Sequence, residues 1–160
     1  MRQRICKLVF LVAGCIALAS MPVRTGHAYY DCTTDATRSA HGSGTTAVTS
    51  LTFVNLPGAY VVFNTTSPCV RVEFSAQIRA KHPKGLKVRA FLNGAAAGVP
   101  AAAEFYTSET RLDGRTVLFT VRNVPAGGAQ SIRIQVLSMD GTEVAIGGWT
   151  LHVHHVGSYG

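Results

Sequence analysis

The sequence predicts an all-β chain folded as a single antiparallel β-sandwich, jelly-roll-like or immunoglobulin-like, behind an N-terminal signal peptide. Three observations lead there. Val70–Ile78 alternates without a break, with Val70, Val72, Phe74, Ala76 and Ile78 on one side and Arg71, Glu73, Ser75 and Gln77 on the other. Successive side chains of a strand face opposite ways, so this is a strand with one dry and one wet face. Further short apolar-alternating runs, about eight strands in all, recur between Gly, Pro and Asn turns with almost no helical period. Finally, an export leader precedes a chain with two remaining cysteines, as in small domains that fold in oxidising compartments.

The leader occupies residues 1–28. MRQRICK is a basic n-region and Leu8–Ile16 an apolar core too short for a permanent membrane anchor. Small-x-small cleavage sites end at Ala19 and at Ala28. Val12-Ala13-Gly14-Cys15 also resembles a lipobox, so a lipid anchor on Cys15 is the alternative to simple secretion or periplasmic release. The whole chain has 15 basic and 8 acidic residues, a formal charge of +7. Arg2, Arg4, Lys7 and Arg24 leave with a leader cut after Ala28, so eleven basic residues then face eight acidic ones, a charge of +3. Much of the basic character therefore belongs to export, and nucleic acid is not the expected partner.

Cys6 and Cys15 fall in the leader. Cys32 and Cys69 remain, and an isolated pair in an oxidising compartment reads as one disulfide, with two free thiols as the alternative. Residues 29–46 are rich in small polar residues and glycine and are expected to be irregular, tied down at Cys32. The sandwich is expected over 47–156, followed by a tail at 157–160.

Within the sandwich, Val48–Val54 is the first expected strand, with Leu51 and Phe53 on one face. Leu56-Pro57-Gly58 carries turn chemistry, and Tyr60–Asn64 follows as a second, short strand. After the long strand at Val70–Ile78, Pro83 and Gly85 end a basic loop. Leu86–Leu92 alternates again, and Asn93-Gly94 is a hairpin turn. AAAGVPAAA holds Gly98 and Pro100, which argue for an irregular edge rather than a helix. Ala103–Ser108 is an edge strand with Phe105 inward. Arg115–Val124, Ser131–Ser138 and Trp149–Val153 complete the set, the last with Trp149, Leu151 and Val153 on one face and Thr150, His152 and His154 on the other.

The segments VRAFLNG, FTVRNVPAG and SIRIQV…GGWTLHVHH resemble those of uncharacterised exported bacterial proteins. There a strand ending in N-V-x-P-G leads to an alternating V-R-I/V-Q strand and a final T-L-x-V-x-H strand. The likeness covers Val48–His155. It implies a β-sandwich outside the cytoplasm and brings no activity or catalytic residues to transfer.

Three places could carry chemistry. Arg79, Lys81, Lys84, Lys87 and Arg89, with His82, gather around one strand-loop-strand corner that could bind an anionic polysaccharide, an envelope lipid or a surface protein through charge-assisted hydrogen bonds. The plain alternative is a charged rim that discourages edge-to-edge pairing. His152 and His154, two apart on a strand, sit about 6–7 Å apart on one face and could share a metal. A zinc site needs three or four ligands, so His41, His82 or Glu73 would have to converge on them. Tyr60, Tyr106, Phe91 and Tyr159 are candidate exposed aromatics. Carboxylates are few and unpaired, Gly42-Ser43-Gly44 is not a nucleophile elbow, and no phosphate-cradling loop is present. The expectation is a non-enzymatic binding module without a cofactor. A structural or assembly subunit, which could form oligomers, is the first alternative, and a metal-dependent hydrolase using the C-terminal histidines is the remote one.

Overall fold

Backbone pairing turns these alternating runs into two stacked sheets. A computed structural model describes residues 32, 34–80, 85–106 and 111–156. The leader with Cys15, the loop residues Lys81, His82 and Lys84, Tyr159 and the tail at 157–160 lie outside the described residues. In chain order the strands are β1 (Ala36–Gly42), β2 (Thr46–Val48), β3 (Val54–Phe63), β4 (Cys69–Ala80), β5 (Gly85–Leu92), β6 (Ala95–Ala96), β7 (Ala103–Tyr106), β8 (Asp113–Arg122), β9 (Gln130–Ser138) and β10 (Val144–His155). There is no helix among the described residues.

The first sheet runs β1-β10-β4-β8, with β2 also on β10; the second runs β3-β9-β5-β6, with β7 also on β5. Every pair is antiparallel. The long strands β3, β4, β5, β8, β9 and β10 alternate between the two sheets along the chain. Two sheets covering one another bury the inner half of each alternation, and the core follows from that. Val70, Val72, Phe74 and Ile78 of β4 are fully buried, as are Val88 of β5, Ile132, Ile134 and Val136 of β9, and Leu151 and Val153 of β10. Each such side chain contributes about 1.5–3 kcal/mol relative to exposure.

The turns follow their residues. Asn93 and Gly94 have φ of 47° and 91°, the double positive pair that a tight hairpin demands. Asp140 accepts from the Thr142 amide at 3.1 Å across the turn before β10. Cys32 and Cys69 form a disulfide whose Cα atoms are 5.6 Å apart. Closing a loop of 37 residues restricts the unfolded chain by about 3–4 kcal/mol in the chain-entropy model. Such a bond belongs to an oxidising environment, extracellular or periplasmic. No helix among the described residues is long and apolar enough to cross a membrane.

Several expectations need correction. The segment expected to be irregular contains β1, which pairs with β10 along its whole length from Ala36↔His155 to Gly42↔Trp149, and also the start of β2. The strand expected at Val48–Val54 does not form. Val48 ends β2 and Leu51 is 65% exposed in a bend. Leu56-Pro57-Gly58 does not break the chain into two strands but lies inside β3. There the register slips between Asn55 and Tyr60, which face the neighbouring Gln135 and Arg133. Five steps of one strand against two of the next make a wide bulge, and a bulge tolerates a proline because its amide has no ladder partner. The final strand begins at Val144 rather than Trp149, and ten strands form among the described residues rather than about eight.

Candidate functional site

The expected basic corner divides between two faces. On β4 the inner positions end at Ile78 and Ala80, so Arg79 projects from the outer face of the first sheet. On β5, Leu86, Val88 and Ala90 are buried, so Lys87 and Arg89 project from the outer face of the second sheet. Strands adjacent in sequence here lie in opposite layers, which sends their wet faces in opposite directions.

Lys87 and Arg89 are also engaged. Lys87 Nζ is 2.8 Å from Glu104 Oε1 on β7, and the Tyr106 hydroxyl donates to Glu104 Oε2 at 2.9 Å. The hydrogen bond from Lys87, followed by that from Tyr106, holds the Glu104 carboxyl below its ordinary range. The same carboxylate, through its hydrogen bonds, raises Lys87 and Tyr106 above theirs. Arg89 donates from Nε to Gln135 Oε1 at 2.9 Å, and its guanidinium carbon lies 4.0 Å from the centre of the Phe53 ring and 5.4 Å from that of Phe91. Gln135 in turn donates to Asn55 Oδ1 at 2.9 Å.

Strand register explains this network. Arg89, Gln135 and Asn55 stand opposite one another across β5, β9 and β3, and one row along stand Phe91, Arg133 and Tyr60. The outer face of the second sheet is therefore a platform of aromatic rings interleaved with guanidinium and amide groups. Phe53, expected on one face of a strand with Leu51, lies on this platform over Arg89. Tyr60 is 53% exposed, and the Arg133 guanidinium stands 5.7 Å from its ring centre, within cation–π range. The bulge in β3 opens a concavity of about 300 Å³ beside them, lined by Asn55, Pro57, Gly58, Tyr60 and Arg133. The Arg133 guanidinium has no hydrogen-bonding partner among the described residues. The alternation of Ser131–Ser138 puts Arg133 and Gln135 outward, but nothing in the spacing tells that Tyr60, Asn55 and Phe91 would be their neighbours.

The histidines lie on the outer face of the first sheet. His154 Nδ1 is 3.0 Å from Thr37 Oγ1, and the rings of His152 and His154 are 6.2 Å apart. Register sets Glu73 opposite His152 and His41 opposite Thr150. They share one face without converging: among the described residues no three His, Cys, Asp or Glu side chains form a group able to hold a metal ion. His155 points the other way. It is 4% exposed, with its ring 5.1 Å from that of Phe63, Nδ1 3.1 Å from the Val156 carbonyl oxygen, and Nε2 buried without a partner among the described residues.

No family model matches the chain, and no curated protein matches it. Among solved structures it is similar to one described as "EclA C-terminal domain; sugar-binding protein", at 13% identity and a TM-score of 0.38, over 80% of this chain and 86% of that one. A likeness of that size transfers no residue and no ligand, so any functional reading rests on the geometry of the faces.

Proposed function

We propose that this protein is a non-enzymatic binding module for an acidic glycan, which it holds on the outer face of the second sheet around Tyr60 and Arg133. The observation that carries the reading is the pairing of an exposed tyrosine ring with a guanidinium that has no hydrogen-bonding partner among the described residues, at the rim of the β3 concavity. A sugar ring offers a flat face of C–H groups that stacks on an aromatic ring, while a carboxylate or sulfate on it accepts two parallel hydrogen bonds from an arginine fork. Arg133 can give those bonds because its neighbours across the strands are Tyr60 and Phe91 rather than a carboxylate. The nearby acid, Glu104, is committed to Lys87 and Tyr106. Asn55 places an amide group alongside for hydroxyls.

The test is binding of the protein to polygalacturonate and alginate, with dextran as the uncharged comparison, at two salt concentrations. The expected result is binding to an acidic chain that weakens with salt, falls at least tenfold in Arg133→Ser and in Tyr60→Ala, and leaves the melting temperature unchanged in both. Equal affinity of both variants and the wild type for the acidic chains would remove this face from consideration.

A further inference from the structure

The opposite side of the sandwich carries a second, chemically different concavity. We infer that the trough on the outer face of the first sheet is a binding site for an uncharged, hydroxyl-rich ligand, a neutral pyranose unit. It is carried by a different sheet and different residues from the site around Tyr60 and does not depend on that reading.

The trough measures about 680 Å³, inside the range of roughly 300–1,000 Å³ usual for small-molecule sites. Local sequence opens it. The register of β10 against β4 slips between Gly147 and Trp149, and Gly114 and Gly148 line the depression without side chains to fill it. Trp149 is also part of the lining, with its ring turned inward to the core at 6% exposure.

The side chains that project into it come from four strands. Across β1, β10, β4 and β8 the register lines up His41, Thr150, Ser75 and Thr116, and Gln77 stands one row along, opposite Gly114. Ser75 Oγ and Thr116 Oγ1 are 2.8 Å apart. This set comprises three hydroxyls, a carboxamide and an imidazole, nearly all of them able both to give and to accept hydrogen bonds. Among the described residues no carboxylate or ammonium group lines the trough, and the guanidinium of Arg115, which belongs to the lining, donates to the Tyr106 carbonyl at 3.2 Å. A cationic ligand would thus meet no countercharge among these groups, and an anionic one only a guanidinium already hydrogen-bonded elsewhere. A ring bearing several hydroxyls matches the lining group for group.

Gly114 supplies a clean way to close the site. A Cβ built there meets nothing within 4 Å, and its φ is not in the left-handed region. Because it stands opposite Gln77, Gly114→Phe should fill the trough from the edge strand without disturbing the core.

The experiment is amide NMR of the protein, titrated in turn with neutral β-glucan, mannan and galactan oligosaccharides. At least one is expected to give saturable shifts at Ser75, Gln77, Thr116 and Thr150, with affinity falling at least tenfold in Gly114→Phe and in Gln77→Ala. Tyr60→Ala should leave those shifts unchanged, which separates this site from the one on the other sheet. No saturable shift at these amides with any of the three, or shifts that Gly114→Phe and Gln77→Ala leave intact, would overturn the inference. So would polygalacturonate occupying the trough more tightly than every neutral sugar. A melting temperature for each variant shows that lost binding is not lost folding.

Discussion

Replacing Gly42 with alanine tests how tightly the end of β1 is fitted to the core. The new Cβ would lie against Nε1 of Trp149, 2.5 Å from its Cε2 and 2.8 Å from its Cζ2. Carbon atoms in contact prefer about 3.5–4.0 Å, so the indole would have to retreat by roughly 1 Å. It has little room. Trp149 is 6% exposed and belongs to the packed core. Moving its ring means overpacking the core or prising the end of β1 away from β10. Overpacking of this kind costs about 1–3 kcal/mol, or several degrees in melting temperature for a domain of this size. Urea unfolding of the oxidised protein measures it, and Trp149, the single tryptophan, reports on its own surroundings by fluorescence. A smaller ring should relieve the clash, so Gly42→Ala should cost at least ~1 kcal/mol less in a Trp149→Phe background. If Gly42→Ala stays within about 0.5 kcal/mol of wild type, or costs the same in both backgrounds, the proposed fit is wrong.

Two further outcomes follow from single groups. His155→Phe should stay within about 1 kcal/mol of wild type in urea unfolding, because removing the buried Nε2, which has no partner among the described residues, offsets the loss of the 3.1 Å contact between Nδ1 and the Val156 carbonyl while a ring stays against Phe63; a loss above about 2 kcal/mol would show that Nε2 is hydrogen-bonded as well. The cluster around Glu104 should respond to pH at both ends. The depressed Glu104 contributes stability above the ordinary carboxylate range and loses it as pH falls through its lowered folded value, while the raised Lys87 and Tyr106 contribute below their ordinary values and lose it as pH rises through their raised ones. Ultraviolet titration should therefore show one tyrosine ionising late, and Glu104→Gln should bring it back to the ordinary range; an unchanged titration would show that the contact does not persist in solution.

Alternation made the interior readable wherever the inward residues are large. Val72 and Phe74, Ile132 and Ile134, Leu151 and Val153 all announce their faces by period alone. The same reasoning missed β1 because its inward side offers only Ala36, Arg38, Ala40 and Gly42. Its place is set by backbone pairing to β10 and by the small residue that makes room for Trp149. It misread the stretch around Phe53 because Leu51 and Phe53, two apart, imitate one face of a strand, whereas here the Phe53 ring lies over Arg89. Pro57 and Gly58 carry the same turn chemistry whether a strand ends or bulges, and only the pairing with β9 separates the two. The basic corner failed for a more general reason: period tells inside from outside along each strand but not which sheet the strand joins. Arg79 and Arg89 are both wet, and they face away from each other.

The order in which the chain is made bears on how the first sheet can assemble. β10 is the last strand among the described residues, yet it is interior to its sheet, flanked by β1 and β2 on one side and β4 on the other. Pairing Ala36 with His155 joins nearly the two ends of the domain. Until Val144–His155 exists, β1 and β2 have no strand to pair with, and β4 presents an open edge of unpaired amides and carbonyls, the kind of edge that recruits other chains. Folding is therefore set to wait for the whole chain and then to proceed through distant contacts, on the milliseconds-to-seconds scale of all-β topologies. A chain stopped before Val144 is not a trimmed domain; it lacks the strand on which the first sheet is assembled.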